Sequence, residues 1–221
     1  TSDYCGGIVG ATQSILSSNI VDDCEITGIQ YLGGIVGSSS STVEKNTVNA
    51  TIIGTNHIGG IVGNSSSVVN DNICTAHISG TSNLGGIVGY TTGDASENSA
   101  NVKIVGTGNN VGGSIGYVYG GWTNKSVTFA NNKAFGQVEG VTNVGGLIGI
   151  IDIHNLNRAN GNYNYSKCNV ISTGSNAGGL IGQAFADAYG GGEKAEIYLN
   201  QNYATGNVTS NGNYAGGLIG L

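Results

Sequence analysis

Gly6-Gly7-Ile8-Val9-Gly10 reads GGIVG, and the same five letters return from Gly33, Gly59 and Gly85. Relatives follow: GGSIG from Gly112, then GGLIG from Gly145, Gly178 and Gly216. Successive starts lie 27, 26, 26, 27, 33, 33 and 38 residues apart. A phosphate-binding glycine loop would occur once, between a strand and a helix. A phrase that recurs at periods of a few tens of residues marks stacked units that share one core.

Each unit carries a second signature. Val48-Asn-Ala50-Thr-Ile52, Cys74-Thr-Ala76-His-Ile78, Ala100-Asn-Val102-Lys-Ile104 and Ala134-Phe-Gly136-Gln-Val138 occupy equivalent places. Small or apolar residues alternate with polar ones, as in a strand with one buried face. Gly54, Gly80, Gly106 and Gly140 follow these stretches and mark turns. Asn46, Asn72, Asn98 and Asn132 precede them, a column suited to an amide ladder at a corner of the cross-section.

Helical spacing is missing, and Gly, Asn, Thr, Val and Ile fill the repeats. The expected fold is therefore all-β: a parallel β-helix (β-solenoid) of about seven to eight turns, one repeat per turn. A β-sandwich, the rival architecture, would not need a 26-residue period. Residues 1–111 hold the regular turns and residues 112–221 the longer ones, within one continuous domain.

Composition agrees. Gly is 41 of 221 residues, Pro and Met are absent, and only 9% are charged. In an in-register stack, like charges in one column would sit about 5 Å apart and repel, whereas Asn, Ser and Thr can hydrogen-bond along it. The net charge of −6 disfavours nucleic acid and anionic membrane as partners. No apolar run is long enough to span a bilayer. The chain reads as a segment of a longer exported protein, whose flanking repeats would be its first partners.

The Gly-Gly-Ile/Leu-Val/Ile-Gly phrase at 26–38-residue spacing, from Gly6 to Gly220, resembles the GLUG motif family. The resemblance implies a bacterial surface or adhesin-like protein, or the non-catalytic region of an immunoglobulin A1-specific metallopeptidase. The implied location is extracellular or the cell surface.

Two apolar columns follow from the motif. Val9, Val36, Val62, Val88, Ile115, Ile148, Ile181 and Ile219 form one, placed inside. If the motif is a single strand, the preceding column of Ile8, Ile35, Ile61, Ile87, Leu147, Leu180 and Leu218 faces outward as an interaction stripe. Ser114 in that column points to a less demanding environment. If instead Gly33-Gly34 is a corner, with glycine chosen for positive φ, both columns turn inward.

Sites of chemistry are scarce. His57, His77 and His154 lie in no H-E-x-x-H pattern. Asp23 and Glu25 would share one strand face and could bind Ca²⁺ or act as acid and base in a polysaccharide-active enzyme; a solvated acidic patch is the plainer reading. Cys5, Cys24, Cys74 and Cys168 have no C-x-x-C spacing and read as buried thiols, with a Cys5–Cys24 bond left open. No catalytic residue, metal site or cofactor is expected.

The longer turns are the departure from regularity. Their extra residues fall between the Gly-Gly motif and the second strand, and insertions at one place project from one edge of a solenoid. Tyr117, Tyr119 and Trp122 come with the first, Tyr163 and Tyr165 with the next, Tyr189 with the last. Exposed rings amid Asn and Gly suit sugar stacking or protein contact, or else they close a wider cross-section. The leading expectation is a structural or adhesive solenoid with self-association end to end or laterally. The alternative is a glycan- or host-protein-binding module that uses the aromatic edge.

Overall fold

A computed structural model describes residues 3–121, 126–155, 157–188 and 194–221. It is a parallel β-solenoid. Among the described residues there is no helix, and every strand pairs in parallel with its counterpart one turn away. The motif itself makes two sheets. An eight-stranded sheet, here the motif sheet, takes the residues up to the first glycine (Gln30–Gly33, Asn56–Gly59, Ser82–Gly85 and equivalents). A seven-stranded sheet, the exit sheet, begins at the second apolar residue (Val36–Ser39, Val62–Ser65, Val88–Thr91 and equivalents). At about 4.8 Å per turn, the seven spacings of the motif sheet span about 34 Å.

The alternating stretches form the third face. Thr47–Ile53, Ile73–Gly80, Ser99–Gly106, Lys133–Gly140 and Tyr165–Ser172 pair in register and expose every other residue. His77 points outward there, as its place between Ala76 and Ile78 predicts. The register slips between Val21 and Cys24, where Asp23 takes φ 49° in a bulge.

Gly33-Gly34 is a corner, so the outward stripe is a misreading. Ile35, Ile61, Ile87 and Leu147 are fully buried, and Leu180 is 2% exposed. Only Ile8 and Leu218, in the first and last turns, remain about half exposed, because each lacks a neighbouring turn on one side. The reason for glycine also differs from expectation. Neither residue has a left-handed φ. A Cβ on Gly33 would overlap the Val36 carbonyl and approach the Ile61 oxygen to 2.5 Å. Close approach of turns, not positive φ, selects glycine.

The left-handed corners belong to other residues. Tyr31, His57, Asn83, Asn110, Asn143 and Asn176, each two places before the Gly-Gly pair, have φ between 54° and 62°. Lys45, Asp71, Glu97, Asn131 and Tyr163 do the same just before the alternating strand. Asn tolerates this conformation better than most side chains.

The asparagine ladder is present and longer than four rungs. Asn19, Asn46, Asn72, Asn98, Asn132, Asn164 and Asn202 form one column. Each Oδ1 from Asn46 onward accepts both the backbone N–H and the Nδ2–H of the preceding Asn, at 2.9–3.3 Å. The same Nδ2 also donates to a carbonyl of the preceding turn, such as Val43 for Asn72 and Val69 for Asn98. Buried amides are thereby satisfied without charge.

Ser114 is a surprise. It is fully buried between Ile87 and Leu147 in its column, and its Oγ has no hydrogen-bond partner among the described residues. The environment is not relaxed at all. Ser114→Ala removes an unsatisfied buried hydroxyl, so it is expected to raise stability by about 1 kcal/mol in urea unfolding. A loss of stability would show that the hydroxyl has a role.

The insertions widen the cross-section. In the regular turns a four-stranded sheet of two-residue strands (Leu16–Ser17 to Ala95–Ser96) turns the corner. In the long turns it gives way to Val127–Thr128, Arg158–Asn162 and Glu196–Asn200. The exit strands lengthen to Ile115–Gly120, Ile148–His154 and Ile181–Asp187. Phe129, Val118, Ile151, Ile153 and Ala159 fill the added core.

Candidate functional site: an aromatic ribbon across one face

The outer face of the exit sheet brings together rings, amides and a carboxylate. Two columns meet there. The first consists of the left-handed corner residues, Tyr31 and His57 giving way to Asn83. The second is the outward position after the third motif glycine: Ala11, Ser38, Asn64, Tyr90, Tyr117, Ile150 and Gln183, in register turn by turn.

Rings join across these columns. Tyr4 stacks on Tyr31 at 4.9 Å and 9°, and Tyr31 meets His57 at 4.9 Å. His57 touches Tyr90 at 5.4 Å, and Tyr90 touches Tyr117 at 5.2 Å and Tyr119 at 6.3 Å. Tyr119 contacts His154, and His154 contacts Phe185, both at 5.9 Å. Eight rings thus cross the face diagonally from the first turn to the seventh, mostly edge-to-face once past His57.

Polar ladders occupy the space on either side. Asn110, Asn143 and Asn176 each donate from Nδ2 to the Oδ1 of the previous turn's Asn, at 2.8–2.9 Å. The ladder abuts the ribbon where the Asn83 amide and His57 Nε2 lie 3.3 Å apart. An amide N–H can donate there only to an unprotonated ring, and burial lowers the His57 pKa in the same sense.

At the widened end the Tyr117 hydroxyl donates to Asp152 Oδ2 at 2.5 Å, and Asp152 Oδ1 lies 2.9 Å from His154 Nε2. Burial and the adjacent carboxylate drive the Tyr117 pKa far up. Burial, with nearby Tyr119 and Asp152, raises Tyr90 to about 12. Asp152 Oδ2 is therefore engaged by Tyr117, whereas Oδ1 makes only the His154 contact and accepts no hydrogen bond among the described residues. Among the described residues no group of three His, Cys, Asp or Glu is placed to hold a metal ion.

The expected aromatic edge divides. Tyr117 and Tyr119 are half-buried members of the ribbon. Tyr163 is exposed at a left-handed corner on another side, beside Glu97, Asn131 and Lys133. Tyr165 lies on the alternating sheet, stacked on Tyr203 at 5.5 Å and against Phe135 at 5.8 Å. Tyr163 and Tyr165 flank ladder residue Asn164 and so follow the insertion instead of belonging to it. Trp122 and Tyr189 lie outside the described residues. The regular turns contribute rings as well, since Tyr4, Tyr31 and Tyr90 belong to the ribbon.

Asp23 and Glu25 are both exposed around the bulge, and neighbouring Asp22 accepts from Asn49 Nδ2 at 2.9 Å. No disulfide joins the four cysteines. Burial raises the Cys74 and Cys168 thiols from about 9 to about 12, partly offset at Cys168 by the Ser166 hydroxyl.

No family model, no curated protein and no solved structure matches this chain.

The raised groups give a pH expectation. Cys74, Cys168 and Tyr90 are held neutral by the fold, so folding favours their protonated forms. Their contribution is fully present below the unfolded pKa and is lost as pH climbs toward 12. Urea midpoints should fall steadily from pH 9 to pH 11. The Cys74→Ala/Cys168→Ala double variant should show a shallower fall. A flat profile for the parent chain would contradict the burial of these groups.

Proposed function

We propose that this chain is a structural module: a stiff, non-catalytic β-solenoid spacer in an extracellular microbial surface or filament protein. The observation that carries the reading is the asparagine ladder, which ties every turn from Asn19 to Asn202 to the next through buried amides. Repeat proteins gain their rigidity from such nearest-neighbour interfaces. Scarce charge avoids repulsion along in-register columns, and motif residues fill the core that the turns share. The GLUG-like phrase suggests the same setting. Further repeats of the same kind, or a second copy, are the partners this reading assigns to the two ends.

The ribbon supports the spacer reading over an aromatic binding edge at Tyr117 and Tyr119. Their rings pack on one another, and the Tyr117 hydroxyl is spent on Asp152.

Two measurements test the proposal. Antibody against the chain should label intact cells of the source organism. The purified chain should release neither reducing ends nor unsaturated products from a polysaccharide panel. Labelling only after lysis would overturn the location, and product release would overturn the non-catalytic reading.

A further inference from the structure

The first three turns hold a hollow that the spacer reading does not use. It is an open depression of about 470 Å³ on the outer face of the exit sheet, beside the start of the ribbon. Tyr4 forms one wall and is 49% exposed. Thr12, Gln13, Ser38, Asn64 and Ser66 supply the floor and far side. None of the residues that line it carries a formal charge.

Its polar groups come in columns, one per turn. Ser38 and Asn64 follow Ala11 in one, and Ser40 and Ser66 follow Gln13 in the other. Asn64 Nδ2 donates to Ser38 Oγ at 3.1 Å, which fixes both side chains. The Ser38 hydroxyl proton and the second amide proton of Asn64 stay available, as do the exposed groups of Gln13, Ser40 and Ser66. At the fourth turn Tyr90 replaces the Ser/Asn column, so the shelf ends against a ring.

We propose that this shelf binds an uncharged, extended polysaccharide laid along the solenoid axis. Four features select that ligand. An aromatic wall next to hydroxyl and amide groups matches the apolar face and hydroxyl rim of a sugar ring. The absence of charge in the lining gives neither anions nor cations an ionic partner. Polar side chains recur on successive turns at the strand spacing of about 4.8 Å, close to the length of one sugar in an extended chain, so each sugar can meet a hydrogen-bonding group at its own turn. Peptides that bind by strand addition would go to the one free edge, that of Val9–Thr12 at the end of the stack, and not onto the face of the paired strands where the shelf lies. The inference does not depend on the spacer reading, because a site on the side wall leaves the rod intact.

The test is affinity electrophoresis of the whole chain in gels that contain hydroxyethylcellulose, galactomannan or dextran, with polygalacturonate and heparin as acidic controls. At least one neutral polymer should retard the chain, with no dependence on salt. Ser66→Trp fills the hollow from an exposed position, and Tyr4→Ala removes its wall. Each should weaken retardation at least tenfold with an unchanged melting temperature. Retardation by no neutral polymer, or only by the acidic ones and abolished by salt, would overturn the proposal. So would wild-type retardation in both variants, or retardation that Tyr119→Ala abolishes and Ser66→Trp does not.

Discussion

Asn98→Ala should lower the unfolding free energy by about 3–5 kcal/mol, among the largest effects of any single polar substitution in this chain. Asn98 is 1% exposed in the middle of the ladder. Its Oδ1 accepts from the Asn72 backbone N–H and from Asn72 Nδ2, both at 3.0 Å. Its Nδ2 donates to the Val69 carbonyl at 2.9 Å and to Asn132 Oδ1 at 3.1 Å. Alanine removes all four bonds and strands the Asn72 backbone donor, whose only partner here was that oxygen. Leaving a buried donor unmade costs more than the net worth of a bond, about 1–3 kcal/mol each, and Asn72 is fully buried. Asn101→Ala, three residues on and exposed, should change stability by less than about 0.5 kcal/mol. Chemical unfolding of the two variants decides the matter. A cost below 1 kcal/mol at Asn98 would mean that water or a shifted corner replaces the amide.

That contrast also bears on what the sequence could reveal. The period, the parallel stack and the alternating faces were readable because identical neighbours one turn apart impose the same choice on every copy. Val48, Cys74 and Ala100 alternate with Asn49, Thr75 and Asn101 for the same reason that they pair in register. The Asn column is legible at Asn46, Asn72, Asn98 and Asn132; insertions set Asn164 and Asn202 outside the 26-residue frame, and Asn19 precedes the bulge that breaks the alternating strand of its turn. The Gly-Gly corner was not decided by pattern. A strand and a corner both place apolar residues at Ile35 and Val36, and only the approach of the next turn's carbonyls distinguishes them.

The candidate site was partly visible. Tyr4, Tyr31, His57 and Asn83 all stand two places before a Gly-Gly pair, and Tyr90 and Tyr117 stand five places after its first glycine. Those columns could have been drawn from the sequence. The join between them could not, because it depends on how the left-handed corner brings His57 to the Tyr90 ring. Nor could spacing show that Asp152 and His154 share a strand face with Tyr119, since the exit strand is longer there than in regular turns.

The two amide ladders also differ in direction. Along Asn19 to Asn202, each amide donates toward the C-terminal turn, whereas Asn110, Asn143 and Asn176 donate toward the N-terminal one. The orientation follows from the local corner. In the first ladder the backbone N–H and Nδ2 of one Asn converge on a single acceptor above. In the second, the backbone N–H is paired elsewhere, as with Asn143 and the Ser175 carbonyl, so the side-chain amides alone form the ladder. Opposed dipoles along one axis partly cancel, which suits a rod with little charge.

Gly60→Ala should be comparably damaging, with an expected cost of about 4 kcal/mol and loss of most soluble folded material. The backbone at Gly60 is not left-handed, so alanine's φ preference is no obstacle. The obstacle is space. A Cβ there would overlap the Gly86 carbonyl oxygen of the next turn and the Cys74 sulfur across the core. Neither can yield: Cys74 is 1% exposed, and Gly60 N–H is held to the Gly85 carbonyl at 3.0 Å. Parting the turns locally would disturb the adjoining Ile61–Ile87 bond as well. Gly217 is the matched control, since it holds the same motif position in the last turn and has nothing within 4 Å of its would-be Cβ. Gly217→Ala should therefore fold normally, with a melting temperature at or slightly above that of the parent chain. If both substitutions unfold the protein, glycine is required at the corner for its conformation, and close stacking of the turns is not what selects it. If both are tolerated, the turns can part at the Gly-Gly corner without losing the core.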